Sequence, residues 1–134
     1  MRFQYTIRKN SPVDEQRDRE LEDYLASLQP TAWTAVTFLN SWVNYGAPQQ
    51  IAQYRKKGDL VQVRGQIKGG ASGTRAFTLP VGFRPPANQS YAAAGYTGAT
   101  ANVANIACNA DGGVFPTSAT TTDISFFFQF SISP

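Results

Sequence analysis

At 134 residues the chain holds material for one domain with a single core. Its lone cysteine cannot close an internal disulfide and it has no histidine, which excludes the usual zinc sites and every histidine-based triad. The formal net charge of +3 falls short of the excess that a nucleic-acid surface carries.

The opening "MRFQYTIRKN" lacks the continuous apolar stretch of a signal peptide, and no apolar run approaches the roughly 20 residues that span a bilayer. Neither processing nor membrane insertion is expected. Phe3, Tyr5 and Ile7 alternate with Gln4, Thr6 and Arg8, the period of a short strand with one apolar face that needs a partner. Ser11 then stands at an N-cap position, Pro12 at the first helical position and Asp14 three residues after the cap. These signals predict a helix from about Pro12 to Leu28, stopped before Pro30. Its apolar residues, Leu21, Tyr24, Leu25 and Leu28, keep helical spacing only in the C-terminal half. Two uses of that stripe stay open: packing against the chain's own β-domain, or meeting two further copies in a short stem.

Beyond residue 30 the chain is rich in Gly, Pro, Thr, Ser, Asn and Val, which favours strands and turns. "WTAVTFL" (33–39) reads as a strand, Asn44 to Pro48 as a loop, and "IAQYRK" (51–56) as a second strand turning at Gly58-Asp59. In "LVQVRGQIKG", Val61, Val63 and Ile67 point one way and Gln62, Arg64 and Gln66 the other. Gly65 interrupts the inward row and predicts a bulge or a large neighbour, such as a tryptophan, over the backbone. "GGASG" (69–73) lacks the Lys-Ser/Thr of a phosphate loop and reads as a hairpin. "RAFTL" is a strand that ends at Pro80. "SYAAAGYTG" and "ANVANIAC" are weak strands of small residues, with Tyr91 and Tyr96 expected in open surroundings. Cys108 faces away from Val103 and reads as a buried thiol. A turn at 109–113 leads to a short "VFP" and then to "DISFFFQFSIS", where Ile124, Phe126, Phe128, Phe130 and Ile132 share one face. Phe127 lies on the other face, to fill a second layer or meet a neighbouring subunit. The count suits a mainly β fold, a jelly-roll-like antiparallel β-sandwich of about eight strands, preceded by the short strand and one N-terminal α-helix. The division is residues 1–30 as an anchoring strand and helix, and 31–134 as the sandwich head.

Charge is uneven along the chain. Residues 1–30 carry five basic and six acidic side chains, and residues 31–134 carry seven and three, giving −1 and +4. Arg55-Lys56-Lys57 runs directly into Gly58-Asp59, the pattern of a solvated hairpin turn rather than a phosphate site.

Three landmarks stand in fixed order: the Trp-containing "AWTAVTFLNSWVNYG", "QYRKKGDLVQVRGQIKGG", and the corner "FTLPVGFRPP". Together, over roughly the last hundred residues, they resemble the terminal domain of bacteriophage minor tail proteins and tail-fibre tips. The matching positions are Trp33, Trp42, Tyr54, Gly58, Val61, Val63, Gly65, Leu79, Pro80, Gly82, Arg84 and Pro85. The resemblance implies a virion protein on the particle surface, made in the host cytoplasm, rather than an enzyme. It also tips the open choice for the helix stripe toward a homotrimer, whose interface would be formed by that stripe, Leu21, Tyr24, Leu25 and Leu28, and by the outward Phe127.

A chain that opens on its own Met1 and is complete would join other virion proteins, in tail or capsid, through residues 1–30 or through the head. A host-surface glycan would be met by exposed aromatics with polar neighbours: Trp42 and Tyr45 in one loop, Tyr91 and Tyr96 in another, with Arg84 beside them. Packing competes as the role of Trp42. The runner-up to such a tail adhesin is a capsid decoration or head-fibre protein bound to the shell by its N-terminal arm. Catalysis would need convergent carboxylates, and only Asp59, Asp111 and Asp123 lie in the head, each in a turn-like context. No catalytic residue, metal, cofactor or nucleic-acid partner is expected.

Overall fold

A computed structural model describes residues 12–118 and 123–133. The expected strand at Phe3–Ile7 and the cap at Ser11 lie outside the described residues. Helix α1 (Pro12–Ser27) begins where its proline predicts and places Asp14 and Glu15 in the first turn, beside the positive end of the helix dipole. Ser27 Oγ donates to the Tyr24 carbonyl at 2.6 Å in the last turn. Leu21, Tyr24, Leu25 and Leu28 are all exposed, so the stripe is not covered by the chain's own β-domain.

Nine strands follow among the described residues: β1 (Thr34–Ala35), β2 (Val43–Asn44), β3 (Gln53–Lys57), β4 (Leu60–Lys68), β5 (Phe77–Thr78), β6 (Gln89–Thr97), β7 (Thr100–Cys108), β8 (Gly113–Thr117) and β9 (Asp123–Ser131). They form one antiparallel sheet in the order β1-β3-β4-β9-β6-β7-β8-β5, with β2 added on β4. Phe77 of β5 nevertheless stacks on Phe126 of β9, with centroids 6.3 Å apart, although three strands separate β5 from β9 in the sheet. The sheet therefore curls on itself, and the sandwich-like core is the inside of that curl. Val36 N–H donates to the Ala52 carbonyl at 3.2 Å and Leu39 N–H to the Ala76 carbonyl at 2.8 Å, so the segment after β1 bridges the two ends. This satisfies backbone that two open edges would otherwise expose. It also explains why the expected strand at 33–39 shrinks to Thr34–Ala35: isolated bonds to two different partners do not make a ladder.

The centre is the β4–β9 pair, in register from Leu60↔Ser131 to Lys68↔Asp123. The alternation in both strands holds, with Val61, Val63, Ile67, Ile124, Phe126, Phe128 and Phe130 buried. The gap at Gly65 is filled by Ala52, not by a tryptophan; a Cβ there would lie 2.6 Å from the Ala52 Cα. The tryptophan packs over Gly70 instead, where any Cβ would overlap the Trp42 indole. "GGASG" is thus the floor of a tryptophan site as well as a connection. Cys108 is buried, and burial followed by the nearby Asp111 charge pushes its thiol up to about 12.

Candidate functional site

The outer face of the sheet is polar where it follows the outward positions of β4 and β9. Gln62 Nε2 donates to Gln129 Oε1 across the two strands at 3.2 Å. Further along β4, Gln66 Nε2 donates to Asp123 Oδ2 at 3.0 Å. Asp123 opens β9 rather than lying in a turn and is only 6% exposed, the one buried charged side chain among the described residues. Register places Tyr96 of β6 opposite Asp123. Tyr45, just past β2, is tied to β4 by its N–H on the Gln66 carbonyl at 2.8 Å. The loop after Tyr45 brings in Gln49, whose N–H reaches the Gly46 carbonyl at 2.9 Å. Gly98, at a φ of 60°, turns β6 into β7 beside them.

These residues enclose a cleft of about 360 Å³ lined by Tyr45, Gln49, Gln66, Tyr96, Gly98, Ala99 and Asp123. Lys68 stands at its side, with Nζ 5.0 Å from the centre of the Tyr45 ring. One carboxylate, two side-chain amides and two phenols offer both acceptors and donors with aromatic surface, a set suited to a polyhydroxylated ligand. A single carboxylate supplies no acid–base pair in the cleft.

Two of the five aromatic and cationic candidates, Tyr45 and Tyr96, therefore meet in one site. The other three are placed elsewhere. Trp42 is only 4% exposed and its Nε1 donates to Thr74 Oγ1 at 3.0 Å, so its ring packs in the core rather than facing a ligand. Tyr91 is not in open surroundings: its ring stacks on Phe128 with centroids 4.7 Å apart, and its hydroxyl donates to Gln89 Oε1. Burial, with Cys108 nearby, pushes that phenol up to about 12. Arg84 Nε donates to the Leu79 carbonyl at 2.9 Å and packs against the Gly112 turn, a role in the corner and not in the cleft. Asp111 pairs with Arg75 at 3.0 Å. The Gly113 N–H and that guanidinium hold its carboxyl below the usual range.

Gln49, Gln66 and Asp123 were not among the ligand candidates that the sequence offered. Gln66 was visible as an outward residue of β4, but its partner lies on a strand remote in sequence, and only register joins them.

No family model matches the sequence, and neither does any curated protein. Solved structures do share the fold. The head domain of phage bIL170, studied among the receptor-binding domains of lactococcal phages, superposes with a TM-score of 0.57 at 20% identity, over 75% of this chain and 96% of that one. The receptor-binding protein gp15 of Listeria phage PSA gives a TM-score of 0.60 at 24% identity, over 92% of this chain and 82% of that one.

Proposed function

We propose that this chain is a phage host-attachment protein of the virion surface, whose head binds a host-surface glycan in the cleft between Tyr45 and Tyr96. The observation that carries the reading is the convergence of these tyrosines with Gln49, Gln66 and Asp123 on a fold shared with phage receptor-binding heads. Aromatic surface covers the apolar side of a sugar ring while amides and a carboxylate take its hydroxyls. The role is binding and not catalysis, consistent with a lone carboxylate in the cleft.

The protein acts as a homotrimer. Phe127, 58% exposed, shares the outer face of the sheet with Val103, 83% exposed, and with exposed Ala94, which register places between Val103 and Ser125. The exposed stripe of α1 adds a second apolar surface for the same association. Each glycan contact is weak, and the three heads of one trimer multiply it by avidity. Docking to other virion proteins falls to residues 1–30.

The test is adsorption. Replacing Tyr45 and Tyr96 with alanine should weaken binding to host cells or purified cell-wall glycan by about 1 to 3 kcal/mol per site. Unchanged adsorption, with capsids that turn fragile when the protein is removed, would replace this reading with that of a capsid decoration.

A further inference from the structure

The Trp33 ring lies against two guanidiniums on the outer face of β3 and β4. Arg64 Cζ is 3.8 Å and Arg55 Cζ 4.4 Å from the indole centre. Both cations are held by neutral partners: Arg55 Nε donates to Gln62 Oε1 at 2.7 Å, and Arg64 Nε and Nη2 donate to Gln53 Oε1 at 3.3 and 3.1 Å. The geometry fixes two positive charges side by side without neutralising either, and exposed Lys57 extends the same face.

Helix α1 has the opposite excess. It carries Asp14, Glu15, Asp18, Glu20, Glu22 and Asp23 against Arg17 and Arg19. Asp14–Asp18 and Asp18–Glu22 are like charges one turn apart, which destabilise an isolated helix. Sixteen residues are also marginal as a free helix. Among the described residues the ion pair is Arg75–Asp111, so no carboxylate of α1 is paired with a cation of the described residues.

We infer that the Trp33–Arg55–Arg64 face receives the acidic helix α1 of a second copy. Glu15, Glu22 and Asp23, with Arg19 among them, fall on the flank turned away from the leucine stripe, which keeps an acidic excess, so the stripe can meet other helices while this flank meets the neighbouring head. The root of each helix lies against the same hairpin, through the Pro30–Lys57 bridge and the Thr31 N–H on the Lys56 carbonyl at 2.8 Å. Each copy thus gives one helix and receives one, a head-to-tail contact that a rotation can close into a ring. The inference rests on the trimeric reading.

The test is sedimentation of the full chain over a salt series and in charge-reversal variants. Glu22→Lys with Asp23→Lys should raise the concentration for half-assembly roughly tenfold or more, and high salt should do the same to the parent. Arg55→Glu with Arg64→Glu should weaken assembly equally, and combining both pairs should restore it. The helix pair touches no core residue, so it remains readable if the arginine pair disturbs folding. A trimer indifferent to salt and to helix reversal would overturn the helix docking and leave the trimer standing. Loss with the arginine pair but not the helix pair would assign the face to another acidic surface and overturn it too. A monomer under all conditions would remove both readings.

Discussion

Cys108 and Tyr91 show what burial does to single groups. Both hold their protons in the fold to about 12, above the ordinary 9.0 and 10.0. An unfolded chain releases those protons earlier, so the folded state binds more protons in that window. Stability should be intact below about pH 9 and fall as pH rises toward about 12. Urea titrations across this range should show the fall, and Cys108→Ala should flatten its first part. Native protein at neutral pH should leave Cys108 unlabelled by a thiol reagent that labels it at once in urea. Packing is equally specific. Trp42→Ala empties a site built with Gly70 and Thr74 and should cost about 3 to 5 kcal/mol in denaturant unfolding. Gly65→Val meets Ala52 backbone and should cost about 1 to 3 kcal/mol by overpacking.

The strands and the helix differ in how they are held. β4 and β9 pair along nine residues each and carry a larger share of the buried hydrophobic side chains than any other strand pair. β6 and β7 pair with each other along nine residues, whereas among the described residues β6 pairs with β9 at Ala94–Tyr96. Hydrogen exchange should therefore be slowest in β4 and β9 and faster around the Gly98 turn, because local opening there breaks few buried contacts. Uniform protection over both hairpins would contradict this order. Amides of α1 should exchange quickly in any dissociated chain and slow on assembly, since the helix is exposed from Glu15 to Ser27.

The whole molecule presents more apolar surface than one small curled sheet covers, at Phe127, Val103 and the helix stripe. The isolated protein is expected to be a trimer at micromolar concentrations, and light scattering that returned only a monomer would remove that expectation. On the proposed virion role, deleting residues 1–10 should leave a folded trimer that no longer joins the particle. Normal incorporation would transfer docking to the head.

Sequence alone determined whatever depends on spacing along one segment. Period two in "LVQVRGQIK" and "DISFFFQFS" marked the central strands and their inward faces, and Pro12 with the acidic first turn marked the helix. Cys108 was legible as buried because it stands opposite in phase to Val103. The cleft was legible only as a set of aromatic candidates. Nothing local distinguishes Trp42, which the Gly70 backbone admits into the core, from Tyr45, which the Gln66 carbonyl holds at the cleft. Tyr96 meets Asp123 because β6 pairs with β9, and Arg55 and Arg64 meet on Trp33 because the chain before β1 folds over the β3–β4 hairpin. Strand period is a property of the backbone of one segment, whereas the neighbour of an outward side chain is set by register between strands distant in sequence, and tertiary structure alone decides that register.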